Sequence, residues 1–401
     1  MSITEHAVIG SDPLERARAA HRRLDWAAAR DGYALAQAAA PLSAVDLLAS
    51  ADAAWWLGRI DEALAGYQAA YGRQVDDGQP AAAARVAMTI GSIRSLRGDV
   101  VGGAGWTALA GRLLSGRPEC VEHGYLLALE IDNALAASDC ERAIAVGQRV
   151  QDIGATHDDR TLMSAGLVGE GVARVKQGAV PQGFALIDRA MTAVRASQEP
   201  KWTGTLYCQV MALCHELADP RRAREWTDAT ERWCDEFTSA AMFAGICRVH
   251  RARLLQLGGD WARAEREARQ ACDDLADIDV AVVGEAHYQL GEIRRERGDL
   301  YGAEDSYRHA QELGRDPQPG LALLRLAQGR VTAAVASIRA ALTILDDRLA
   351  RARFRAAQAE IALTAGDLDL AWEASTELGQ IAAAYGSPGH AASARELLGG
   401  T

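Results

Sequence analysis

Cys208, Cys214 and His215 fall within the stretch GTLYCQVMALCHE, and Cys234, Cys247, His250, Cys272 and His287 follow downstream. Thiols and imidazoles at close spacing can ligate a metal, pair as thiolate and base, or simply fill an interior. On a helix, Cys208 and Cys214 are six apart and point to different faces. Cys208 and His215 share a face but stand two turns, roughly 10 Å, apart, too far to hold one zinc at about 2.0–2.3 Å. Cys247 and His250, at i and i+3 in GICRVHRAR, are better placed as a ligand pair or as thiolate and base. A complete metal site would still need Cys214 or His287 from neighbouring elements, and no CxxC…CxxC spacing is present. The cysteines are therefore read as small buried hydrophobes, with no metal and no cofactor expected.

His250 is flanked by Arg248, Arg251 and Arg253, a cationic turn in an acidic chain. The planar fork of arginine suits a carboxylate or another anion. Pairing with acids of the next segment, Glu285 or Glu292, is the favoured alternative. Nine tryptophans stand against four phenylalanines, and most are expected to be core wedges. Trp226 and Trp233, at i and i+7, could instead wall a groove with Tyr207 and Tyr288. The candidate ligand-binding set is thus Tyr207, Trp226, Trp233, His250, Arg251, His287, Tyr288 and Glu292. Tyr207, His250, Arg251 and Tyr288 are expected to converge, unless they only knit adjacent segments together. No catalytic residue is assigned, because GxSxG, HExxH, a strand-borne GxGxxG and a DxDxDG loop are all missing. An enzyme using the Cys247–His250 neighbourhood stays as an alternative.

These residues must be positioned by helices. The 401-residue chain is 49% hydrophobic and 24% charged, a soluble globular balance. Lysine occurs only at Lys176 and Lys201, so its 43 basic residues are nearly all arginine, interleaved with acids to a net charge of −11. Nucleic-acid binding needs clustered cations, so none is expected. No run approaches the ~18 apolar residues of a membrane span, and the start carries no secretory pattern. A cytoplasmic protein with free thiols follows.

One local pattern recurs: a helix, a break such as Gly-Asp or Gly-Arg, then a second helix. The breaks include LGRIDEALAGY, RGDVVGGAGW, ASDCERAIAV, GGDWARAERE and RGDLYGAEDSY. Anchored on the residue before the Asp or its equivalent, they fall at 24, 58, 98, 138, 178, 218, 259, 298, 329 and 366. The spacings are 34, 40, 40, 40, 40, 41, 39, 31 and 37, a regularity that signals a solenoid. Gly ends one helix in the left-handed conformation and Asp caps the next. Ala63–Tyr67–Ala70, Ala303–Tyr307–Ala310 and Ala29–Tyr33–Ala36 place small, large, small residues on one helical face. The predicted fold is all-α: a tetratricopeptide-like, right-handed α-solenoid of about ten helix pairs with a ~40-residue period. One domain is expected, with an N-terminal tail over 1–12, repeats over 13–385 and a terminal helix over 386–401. That last helix is either a cap or the start of a truncated pair.

From about 180 to 330, the motifs LIDRAM, LYC, LADPRRAREW, GICRVHRA, GGDWARAE, GEIRRERGDL and GRDPQPGLALLRLAQGR resemble the repeat region of actinobacterial LuxR-type regulators with a MalT-like helical sensor. The resemblance implies a sensor or interaction region. Such regulators carry a helix-turn-helix after the repeats, and nothing after residue 390 can supply one. The expected function is therefore a binding module for a small molecule or protein partner in the concave groove, within transcriptional regulation. A pure interaction scaffold is the remaining alternative.

Overall fold

The computed structural model describes residues 12–194, 199–237 and 241–399. Residues 1–11 of the expected N-terminal tail lie outside the described residues. All regular structure among the described residues is helical. The helices fall in pairs: α1 (Pro13–Arg22) with α2 (Trp26–Ala39), α3 (Ala44–Trp56) with α4 (Ile60–Asp76), and α5 (Pro80–Leu96) with α6 (Val100–Leu114). Next come α7 (Val121–Ala136) with α8 (Cys140–Thr156), α9 (Arg160–Lys176) with α10 (Val180–Val194), and α11 (Pro200–Glu216) with α12 (Pro220–Cys234). The rest are α13 (Ala241–Leu257) with α14 (Trp261–Leu275), α15 (Val280–Glu296) with α16 (Leu300–Glu312), α17 (Gly320–Ala327) with α18 (Val331–Ile344), and α19 (Arg348–Ala365) with α20 (Leu368–Tyr385). A terminal helix, α21 (Pro388–Gly399), follows. Ten pairs stand at the ten breaks read from the sequence.

Every one of those ten breaks turns on a residue with positive φ. Seven are glycines, from φ 73° at Gly58 to 89° at Gly178, and the others are Leu24 (60°), Ser138 (59°) and Ala218 (46°). The left-handed residue lets the chain turn back and satisfy the carbonyls left open at a helix end. In the break at 298, for example, the Asp299 N–H donates to the Arg294 carbonyl at 2.9 Å. The next residue then caps the following helix. Asp25, Asp99, Asp139, Asp260, Asp299 and Asp367 each accept from the backbone N–H three residues on. Arg59 and Arg330 occupy the same place without a side-chain cap.

Small, large, small packing closes the pairs that carry Tyr33, Tyr67 and Tyr307. Ala63, Tyr67 and Ala70 are wholly buried, as are Ala303 and Ala310 around Tyr307. A buried tyrosine hydroxyl needs a partner. Tyr67 Oη donates to Asp52 Oδ1 at 2.5 Å, and Tyr307 Oη donates to Glu292. The acid in each case belongs to the first helix of the same pair.

The chain divides into two compact units, Met1–Ser115 with Trp233–Met242, and Gly116–Arg232 with Phe243–Thr401. In the first, the tryptophans form an aromatic core. Trp26 stacks on Trp56 (5.4 Å between centroids), Trp55 meets Trp56 edge-on (5.0 Å), and Phe237 stacks on Trp56 at 4.8 Å.

The second unit returns upon itself. Lys176 Nζ, at the end of α9, is held by Glu216 (2.9 Å) and by Asp347 (2.6 Å). Tyr385 Oη donates to the Lys176 carbonyl at 2.7 Å, and His390 Nε2 donates to the Glu216 carbonyl at 3.1 Å. Ser387 Oγ donates to the Leu217 carbonyl, and the Gly389 N–H donates to that of Ala218 at 3.0 Å. A Cβ on Gly389 would lie 2.6 Å from the Ala218 oxygen, so only glycine fits this junction. Thus α20 and α21 meet the carboxyl ends of α9 and α11.

Two outcomes test this framework. Gly298 sits at φ 83°, and a Cβ added there would meet no atom within 4 Å. Gly298→Ala should therefore lose about 1 kcal/mol through backbone strain alone, whereas Ser138→Gly should gain a similar amount; denaturant melts measure both. Lys176→Met strands two half-buried carboxylates and should cost about 3 kcal/mol. It should also speed amide exchange in α20 and α21 relative to α13 and α14.

Candidate functional site

The first helices of the second unit carry an unusual polar stripe. On α13, His250 and Arg253 are at i and i+3 and share a face. On α15, Glu285, Tyr288, Glu292 and Arg295 follow one another at three, four and three residues along a single face. His215 ends α11, and α19 contributes Arg353 and Glu360. Such charge density belongs on an outer surface, yet these residues are crowded by protein. Desolvation is the leading influence on Arg253, Glu285 and Tyr288. It also leads at Glu360, pushing its carboxyl up, although Glu360 is solvent-exposed. Asp132 on α7 behaves likewise: burial pushes it up to about 6 against the Gln209 hydrogen bond at 2.7 Å. These side chains are partly open to water and yet crowded by neighbouring protein.

Within the stripe, the rings of His215 and His250 stack in parallel, with centroids 5.0 Å apart. Burial and then the Arg253 charge lower His250 to about 4, and burial depresses His215 further. Both imidazoles are neutral at pH 7. Burial would raise Glu285, but Arg315 outweighs it from 2.5 Å, with Arg253 and Arg353 adding to the effect, and holds the carboxylate low. Burial and then Glu292 hold the Tyr288 phenol up, and the Arg315 guanidinium lies 4.2 Å above its ring. Glu292 is taken by Tyr307 Oη and by Arg295 at 3.1 Å.

The sequence-derived set divides on this geometry. His250, Tyr288 and Glu292 belong to the stripe. Arg251 does not share their face: it turns to Glu231 on α12 and to Glu267 on α14 (3.2 Å). Pairing of the α13 arginines with Glu285 or Glu292 is therefore replaced, for Arg251, by acids of the second helices. Tyr207 is buried against Trp226, 6.1 Å away within its own pair. His287 stacks on His309 at 5.1 Å. Trp233 belongs to the first unit, where it meets Phe237 at 4.9 Å and Trp56 at 6.5 Å. His250 stacks on His215, and Tyr288 lies against Tyr307 at 5.7 Å within its own pair. Residues that the sequence reading passed over are Arg353, Arg315 and Arg295. Arg253 was visible as a flank of His250, and its i+3 spacing was the signal that it, and not Arg251, shares the histidine's face.

The cysteines are free thiols. Cys214, Cys247 and Cys272 are buried, and burial raises Cys214 and Cys272 to about 12, so neither is a thiolate at neutral pH. Cys120 makes a different use of a thiol: with His123 it forms the reciprocal cap that opens α7, Sγ and Nδ1 lying 3.2 Å apart. No group of three His, Cys, Asp or Glu among the described residues is arranged to hold a metal ion. Nor is any described helix long and apolar enough to cross a membrane.

No protein-family model matches the chain, and no curated protein sequence does. Solved structures do. The crystal structure of a Rap protein complexed with competence and sporulation factor is similar over 97% of this chain and 98% of that one, with 10% identity and a TM-score of 0.52. Yeast Tom70 aligns over 96% of this chain and 95% of its own, with 13% identity and a TM-score of 0.40. The Cut9 and Hcn1 hetero-tetramer of APC/C aligns over 96% and 85%, with 11% identity and a TM-score of 0.39. The first of these likenesses, with the ten helix pairs, establishes the fold as a tetratricopeptide-like helical repeat.

Proposed function

We propose that this chain is a helical-repeat binding module that receives a protein partner or a small-molecule ligand in the inner crevice of its second unit. The observation that carries this reading is the stripe of His250, Arg253, Glu285, Tyr288, Glu292 and Arg353, charged and polar yet crowded by protein. Desolvating charge is expensive, and a core that needed only packing would be apolar. Polar groups converging in a concave surface suit recognition. The Rap protein, similar in fold, is complexed with competence and sporulation factor, which supports a binding role for this fold here. The resemblance of residues 180 to 330 to LuxR-type sensor regions supports a role in transcriptional regulation. In this reading Tyr207, Trp226, Arg251 and His287 set the spacing of the helices that form the crevice wall.

An enzyme built on Cys247 and His250 is disfavoured. Cys247 is only 2% exposed, and the ring of His250 lies against His215.

The test is site-specific photo-crosslinking in extract of the source organism. Benzoylphenylalanine replaces His250 in one variant and Trp372, 59% exposed on α20, in another. A discrete adduct formed at position 250 and absent at 372 is expected. The same adducts at both positions, or none at 250, would contradict a binding crevice.

A further inference from the structure

The junction between the terminal helices and the ends of α9 and α11 is built differently from the packing within a pair. Its receiving side is Lys176, the last residue of α9, with Glu216, Leu217 and Ala218 at the end of α11. Its supplying side is Asp347, the cap of α19, and the corner from Tyr385 to His390. Lys176 Nζ reaches Asp347 at 2.6 Å. Tyr385 Oη, the Gly389 N–H and His390 Nε2 donate to the carbonyls of Lys176, Ala218 and Glu216 at 2.7, 3.0 and 3.1 Å. Ser387 Oγ donates to the Leu217 carbonyl. The corner is also preorganised. Gly386 closes α20 at φ 58°, Pro388 opens α21, and Ser387 Oγ between them accepts the His390 N–H at 3.4 Å.

All four carbonyls lie at a helix end, where no donor of the same helix reaches them. If the corner lifts away, water satisfies both the carbonyls and the donors, so one set of hydrogen bonds is exchanged for another at small net cost. Opening a pair is different. It would expose Tyr67 or Tyr307 and the wholly buried alanines beside them, an apolar loss that water does not offset. In a solenoid each pair is held by its neighbours, so the fifth, sixth and tenth pairs stand without the junction. The resistance to opening is concentrated in Lys176, whose side chain is 15% exposed and held between Glu216 and Asp347.

We propose that the α20–α21 corner is a releasable latch. It lifts from α9 and α11 with the helix pairs on both sides intact, and its release uncovers Lys176, Glu216 and the four carbonyls. The latch goes beyond the binding function and does not depend on what the polar stripe receives.

Lys176 reports the state of the latch, because the chain's other lysine, Lys201, serves as an internal reference. The full chain is treated with N-hydroxysuccinimidyl acetate, and acetylation at each lysine is followed by mass spectrometry beside amide exchange. In the unaltered protein Lys176 should react at least tenfold more slowly than Lys201, without loss of amide protection in α15 and α16. A Cβ on Gly389 would lie 2.6 Å from the Ala218 oxygen. Gly389→Ala and Ser387→Ala should therefore each speed the reaction of Lys176 severalfold and leave Lys201 unchanged. Once Lys176 is acetylated and its charge lost, amides of α21 should exchange at least tenfold faster, while α15 and α16 keep their rates. Equal reactivity of the two lysines in the unaltered protein would mean that the junction is not closed. Reaction of Lys176 only in step with amide exchange in α15 and α16 would mean that it is a fixed part of the core. Either result overturns the proposal, as does unchanged Lys176 reactivity in both variants. Should a variant fail to fold, the comparison within the unaltered chain decides.

Discussion

The structure depends on one backbone constraint, the left-handed residue that closes the first helix of every pair. At each of the ten breaks the chain must turn back within a few residues, and positive φ allows it to do so with its terminal carbonyls satisfied. Glycine meets that demand at least cost. Where Leu24, Ser138 and Ala218 stand instead, the turn survives, which indicates that helix packing overrides local preference. The break fixes the second helix antiparallel to the first. Alanine and tyrosine on the facing surfaces then bring the two into close contact, as at Ala63, Tyr67 and Ala70.

Because the pairs repeat, the same face of each first helix recurs from one pair to the next, and whatever the sequence writes on that face becomes a continuous surface. In the second unit it writes charge. Glu285 and Glu292 are neutralised by Arg315 and Arg295, so most of the stripe is internally balanced. Junctions between α9 or α11 and the terminal helices, made through Lys176, Tyr385, Ser387 and Gly389, bring α19 to the stripe's neighbourhood although it is remote in sequence.

Local chemistry made the repeat legible: a break residue, an aspartate cap and an i, i+4, i+7 pattern are all written within a dozen residues, and the helix pairs follow them. Site residues were legible only where one helix sufficed. His250 and Tyr288 are found on the stripe, but Arg251 is not, because one residue along a helix is a rotation of about 100°. Trp226 and Trp233 looked like one wall at i and i+7. Trp233 instead joins Trp56 and Phe237 in the first unit, a contact no local pattern announces. Arg353 was invisible for a related reason: the spacings of 31 and 37 after residue 298 break the register that would have aligned it with Arg253. The return of α20 and α21 onto α9 and α11 rests on partners some 170 to 209 positions apart, beyond the reach of periodicity.

The most direct measurement is a high-resolution crystal structure of the full chain. The expected result is a hydrated crevice in the second unit, open to solvent along His250, Arg253, Tyr288 and Glu292. A dry, sealed interior in which Arg253 is ion-paired to Glu285 or Glu292 would contradict it, and would make the stripe an internally balanced part of the core.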